Sequence, residues 1–118
     1  LASKIEYTDS ALKQLKKLDK QISRQIVNYL DASVAPLADP KSLGKELTGT
    51  LGTFWRYRVG DYRAICHIDT DSVTVLVLRV SHRSTVYDDE KRIVRKAQAE
   101  IEEFHSRKEA EKAAENEM

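Results

Sequence analysis

The apolar positions change their period several times along the chain, and each change marks an element. Ser3 to Tyr7 is a short run suited to an edge strand. Thr8 and Asp9 then offer capping oxygens to a helix that begins near Ser10. Leu12, Leu15 and Leu18 recur at helical spacing, and Lys13, Gln14, Lys16 and Lys17 fill the outer face. Asp19 interrupts the run and can cap a second helix, whose stripe is Ile22, Ile26, Tyr29 and Leu30. Two antiparallel helices joined by a tight turn are predicted.

Pro36 and Pro40 end the helical region. Residues 35–53 read as a loop with one short turn of structure, and Gly44, Gly49 and Gly52 fall in its second half. The period then becomes strand-like. Phe54–Val59 leads into the turn signal Gly60-Asp61, and Tyr62–Ile68 leads into another at Asp69–Asp71. Val73–Val80 is β-branched and almost continuously apolar, as a central strand covered on both faces would be. From Asp88 the pattern is helical again, with Asp88 or Asp89 as cap and Ile93, Ala97, Ile101 and Phe104 as one stripe. Past Phe104 the helix has little to bury, and a solvated extension that frays is expected. The predicted class is α+β: a small antiparallel sheet, made of the N-terminal strand and three C-terminal strands, packed against a two-helix hairpin, with a C-terminal helix.

At 118 residues the chain is expected to be one domain. Its formal net charge of +1 conceals an asymmetry. Residues 1–87 carry 13 basic against 9 acidic side chains, whereas residues 88–118 carry 7 against 10. A basic body suits an anionic partner, but an excess of this size does not prove one. The single cysteine, Cys66, excludes an intrachain disulfide and reads as a small buried hydrophobe. No apolar run reaches the length of a membrane span, so a cytoplasmic protein is expected.

Candidate chemistry concentrates between Phe54 and Tyr87. Arg56 and Arg58 are two apart on a strand and share a face, with Trp55, Tyr57 and Val59 on the other. Arg63 opens the next strand. If it joins them, three guanidiniums converge, each a planar fork matched to phosphate oxygens and charged at any working pH. The competing reading is an exposed strand face dressed with arginines and paired to Asp61, Asp69 or Asp71. At the exit of the central strand, SHRSTVY supplies His82, Arg83 and Tyr87. His82 supplies an imidazole that could move protons. Arg83 could stabilise a charged phosphorane, and Tyr87 could orient a nucleophile or stack on a base. Tyr87 could equally close the core and His82 cap the loop. Cys66 and His67 are adjacent and point to opposite faces, and no zinc-ligand spacing is present, so no metal site is expected. No phosphate-cradling glycine loop, serine elbow or catalytic carboxylate pair appears.

The helix pair with LKQLKKLD and the pattern ELTG…FWRYRVGDYRAICHI…VTVLVLRVSHRSTVY resemble the RelE/ParE superfamily of bacterial type II toxins, in its RelE-like mRNA interferase branch. The resemblance covers roughly residues 3 to 87, which implies a RelE-like toxin domain over 1–87 with residues 88–118 as its helical extension. It further implies a ribosome-dependent endoribonuclease that cuts mRNA, needs no metal or cofactor, and is blocked by a cognate antitoxin protein. The partners implied are that antitoxin, the 70S ribosome and its mRNA, with operator DNA reached only through the antitoxin and no membrane. Carried over residue by residue, the functional set is Arg56 and Arg58 for RNA binding and Arg63, Arg83 and Tyr87 for catalysis, with His82 supplying part of the acid–base work. The first two are often lysines in that branch; arginine keeps the charge but does not deprotonate. A ParE-like toxin, which binds and inhibits DNA gyrase without cutting RNA, is the alternative. A toxin-like regulatory domain whose acidic C-terminal helix covers the basic face is a third reading.

Overall fold

A computed structural model of the protein describes residues 2–47, 54–84 and 87–117, with backbone alone at 87–91, 93 and 94. The elements run β1 (Lys4–Tyr7), α1 (Asp9–Lys17), α2 (Lys20–Tyr29), β2 (Lys45–Glu46), β3 (Phe54–Val59), β4 (Tyr62–Asp69), β5 (Thr74–His82) and α3 (Tyr87–Glu117). A wide turn over Leu30–Val34 extends α2, and a short 3-10 turn covers Pro40–Ser42. The expected α+β class is what the chain adopts.

The helix starts are set by the residues the sequence singles out. Thr8 Oγ1 accepts from the Ala11 amide at 3.1 Å, and Asp19 Oδ1 accepts from the Gln21 amide at 2.8 Å. Helix α3 begins at Tyr87, so Asp88 and Asp89 lie inside its first turn. Gly49 and Gly52 lie outside the described residues.

The sheet has five strands in the order β1-β5-β4-β3-β2. The pairs β3–β4 and β4–β5 are antiparallel, as hairpins require, whereas β1 runs parallel to β5 and makes the sheet mixed. At the other edge, β2 emerges from what reads as loop in the sequence and pairs Lys45 with Arg56. The β3–β4 turn is two residues long, with Gly60 at φ 58, a conformation glycine adopts without a steric penalty.

Two cores lie on opposite faces of this sheet. On one face Ala11, Leu15, Ile26 and Leu30 of the helical layer pack on Tyr57, Val59, Cys66, Val75 and Val77. On the other, Ala97, Ile101 and Phe104 of α3 pack on Phe54, Ile65, Leu76 and Leu78. β5 contributes to both, which explains its near-continuous apolar run. Beyond Phe104, α3 stays helical and mostly exposed, but its first extra turn is tied down. Arg107 and Lys108 reach Glu6 of β1 at 3.0 and 2.6 Å, and the Glu6 hydrogen bond raises the Lys108 ammonium above its usual range.

A bulge in β5 interrupts the alternation. Ile65 pairs with Arg79 and Cys66 with Val77, so Leu78 is the extra residue. Leu78 and Arg79 therefore both turn toward α3, where strict alternation would separate them. The bulged backbone is satisfied from α1: Thr8 Oγ1 donates to the Leu78 carbonyl at 2.9 Å, and Gln14 Oε1 accepts from the Val80 amide at 2.8 Å.

Candidate functional site

The hydrogen-bond register decides which arginines meet. Arg58 lies directly opposite Arg63, and Arg56 lies opposite Lys45 on one side and Ile65 on the other. Residues opposite each other in a ladder project to the same face, so Lys45, Arg56, Arg58 and Arg63 share the face that α3 covers at its Phe54–Ile65 end. Trp55, Tyr57 and Val59 occupy the other face, as the sequence pattern predicts. Like charges placed opposite each other are unfavourable in a ladder and raise the local positive potential. Arg58 is exposed, while Arg56 and Arg63 are partly buried.

Arg83 follows β5 directly. Its backbone amide donates to the Asp61 carbonyl at 2.7 Å, and its Nε lies 3.5 Å from the Asp61 carboxylate. From β4, Arg63 Nη2 donates to the Arg83 carbonyl at 2.9 Å. The strand exit is therefore tied to the β3–β4 turn on one side and to Arg63 on the other, while the Arg83 guanidinium stays in solvent. Arg58, Arg63 and Arg83 thus form one connected corner of the sheet.

His82 is not part of that corner. It stands opposite Tyr62 in the ladder and meets it edge-on, with ring centroids 5.2 Å apart. Tyr62 belongs to the α1/α2 face, so His82 projects away from Arg63, which follows Tyr62 on the same strand. The Ser84 amide donates to His82 Nδ1 at 3.1 Å, with Ser84 Oγ also 2.8 Å away. An Nδ1 that accepts leaves the proton of the neutral ring on Nε2. The Tyr87 backbone opens α3, but its side chain lies outside what is described.

Two cations escape sequence reading. Lys45 joins the basic face only because the two-residue strand β2 pairs with β3. Arg79 turns toward α3 only because of the bulge, and there it meets Glu100 at 2.6 Å. A surface hollow of about 160 Å³ beneath α3, lined by Tyr7, Leu76, Glu100 and Phe104, contains none of the sheet arginines. A second, of about 290 Å³ beside Pro40 and Val73, also lacks them. Arg58 and the Arg83 guanidinium are exposed at this corner, where a polyanion can reach them.

Three comparisons bear on this geometry. The family model described as ParE toxin of type II toxin-antitoxin system, parDE, matches residues 5–87. The toxin RelG of Mycobacterium tuberculosis (strain ATCC 25618 / H37Rv) is 36% identical over 85 residues, covering 70% of this chain and 93% of RelG. Among solved structures, the toxin-antitoxin complex RelBE2 from Mycobacterium tuberculosis matches at a TM-score of 0.64 and 30% identity, over 70% of this chain and 100% of that one. A mutant of the E. coli toxin RelE in the free state matches at a TM-score of 0.57 over 81% of this chain and 98% of that one, and its 18% identity makes this a likeness of fold. The fold and the matched span agree, and the chain belongs to the RelE/ParE superfamily of type II toxin-antitoxin toxins.

Proposed function

We propose that this toxin cleaves mRNA on the ribosome, with the corner formed by Arg58, Arg63 and Arg83 as its reactive surface. The observation that carries the reading is the facing pair Arg58 and Arg63, with Arg63 also bracing the backbone of Arg83. Three guanidiniums around one strand exit are suited to a phosphate that gains charge during reaction. In the reaction the substrate's 2′-hydroxyl oxygen attacks the adjacent phosphorus. The bond to the 5′-oxygen breaks, leaving a 2′,3′-cyclic phosphate and a 5′-hydroxyl. The 2′-hydroxyl gives up one proton and the departing 5′-oxygen gains one, so the step is balanced without a metal or cofactor. Arg63 and Arg83 hold charge on the phosphate, Arg56 and Arg58 hold the neighbouring backbone, and Tyr87 orients the nucleotide. Catalysis is then positioning plus electrostatics, with the ribosome supplying substrate geometry. His82, on the other face of the strand end, takes a place at the rim, with Nε2 as its exchangeable proton site.

The same reading includes a cognate antitoxin as partner and a cytoplasmic site of action. Solved relatives include toxin-antitoxin complexes, which supports the first. Among the described residues no helix is long and apolar enough to cross a membrane, which is consistent with the second.

A second reading, inhibition of DNA gyrase without RNA cleavage, is favoured by the ParE description of the matching family model. Primer extension on mRNA from a translating extract separates the two. New 5′ ends in phase with codons, lost on Arg83→Ala, are expected. Growth arrest with intact mRNA and damaged DNA would establish the gyrase reading.

A further inference from the structure

The other two histidines of this chain, His67 and His105, lie away from the strand exit. His67 projects from β4 to the α3 face beside Phe104, with ring centroids 6.3 Å apart. His105 comes from α3, 38 residues later, and the two Nε2 atoms are 3.2 Å apart. The rings stand at 82° to each other. Asp69 is two residues beyond His67 on the same strand and so shares its face. One ligand atom from each of the three lies within 4.8 Å of the others.

The spacing is that of a coordination edge. Two imidazole nitrogens on a tetrahedral zinc, each about 2.0–2.1 Å from the ion, stand about 3.3–3.4 Å apart. The Nε2 pair already stands at nearly that separation. The Asp69 ligand atom lies within 4.8 Å of both imidazole nitrogens, and its carboxylate is oriented by Ser72. Asp69 Oδ2 accepts from the Ser72 amide at 3.2 Å and from the Ser72 hydroxyl. That support on one oxygen is what a ligating carboxylate requires, because it orients the group before the ion arrives. Without an ion, the close Nε2 pair is accounted for by one ring donating a hydrogen bond to the other. Protonation of both rings would set two N–H groups against each other.

We propose that His67, His105 and Asp69 bind a divalent late-transition ion, with zinc the best match, that pins α3 to β4. Two imidazoles and one carboxylate, with a fourth position open to water, form a borderline nitrogen–oxygen donor set that suits zinc and excludes calcium or magnesium as the preferred ion. His105 lies beyond residues 5–87, the span the family model matches, so half of the imidazole pair comes from the C-terminal extension. The ion would bridge elements that otherwise meet here through Phe104 and Ile101 packing on the sheet. This site is independent of whether the toxin cuts RNA, and its readout is metal binding.

The test uses the full chain, freed of metal with EDTA and titrated with cobalt(II) alone. One equivalent should produce the visible absorption of a four- or five-coordinate cobalt site, and zinc should displace it. Zinc should also raise the melting temperature. His105→Gln should abolish both effects while melting like the parent chain in EDTA, and His82→Gln should bind cobalt as the parent does. Ser72→Ala, which leaves all three ligands in place, should weaken binding by about tenfold or more. Should His105→Gln not fold, the parent chain still decides: its histidine Nε2 resonances must shift on adding one equivalent of zinc. An unchanged hexaaquo cobalt spectrum at stoichiometric metal, or equal binding by the His67→Gln/His105→Gln double variant, overturns the proposal.

Discussion

Arg63 Nη2 donates to the main-chain carbonyl of Arg83 at 2.9 Å, so one arginine holds the backbone that carries another. Arg63 is therefore a strut as well as a charge, and Arg83 is a charge presented by that strut. Substitutions should separate these roles. Arg83→Ala removes only an exposed side chain with a 3.5 Å exposed ion pair, so stability should change by no more than about 0.5 kcal/mol. Cleavage in the translating extract should fall about 100-fold or more, the typical loss when a donor to a developing charge is removed. Arg63→Ala should lose comparable activity and about 1 kcal/mol of stability as well. Arg63→Lys should keep the charge without restoring the activity, because an ammonium lacks the fork. Urea melts and primer extension on the same preparations give both numbers.

The ion pair of Arg79 with Glu100 joins the bulged strand to α3 at 2.6 Å and is mostly shielded from solvent. Glu100→Gln leaves a mostly buried guanidinium short of its counter-charge, and should cost about 1–3 kcal/mol. Arg79→Met/Glu100→Leu should recover part of that loss, since an apolar pair removes both desolvation penalties. A double-mutant cycle by chemical denaturation measures the coupling.

Alkali should destabilise the fold through buried protons. Burial is the largest cause that raises the Tyr7 and Tyr57 phenols and the Cys66 thiol above their ordinary values. The folded chain keeps these protons to a higher pH than the unfolded chain does. Their contribution is complete well below about pH 8.5, where the unfolded groups are still protonated. It declines as pH rises through about 9 to 11, because the unfolded state then binds fewer protons. Urea midpoints should fall over that range. Cys66 should resist thiol reagents at neutral pH in the native protein and react once urea unfolds it, because only the thiolate is nucleophilic.

Val73 has a φ of 51, a left-handed conformation that a β-branched residue adopts only at a cost. The side chain is exposed, so little packing offsets the strain. Val73→Asn should stabilise the protein by about 0.5–1 kcal/mol, since asparagine tolerates this region. The Lys4 amide bond to the Val73 carbonyl, 2.9 Å, should survive the change. A higher melting temperature with unchanged cleavage is the expected result; a lower one would place the strain elsewhere.

Much of this protein is local in origin and was decided by the sequence. The caps at Thr8 and Asp19 act on amides two or three residues away. The opposite faces of Cys66 and His67, and the shared face of Arg56 and Arg58, follow from a strand period of two. What joins distant segments was decided only by the tertiary structure. β1 pairs parallel to β5, across a separation of about seventy residues that no periodicity encodes. The two-residue β2 is too short to show a pattern, yet it places Lys45 beside Arg56. The Leu78 bulge breaks the alternation that sequence reading assumes, and so turns Arg79 toward Glu100. His82 sits near Arg83 in sequence but projects to the face of Tyr62. His67 and His105 are 38 residues apart in sequence and 3.2 Å apart in space. Local chemistry sets which residues can serve a site, and the long-range strand pairing and helix packing set which of them meet.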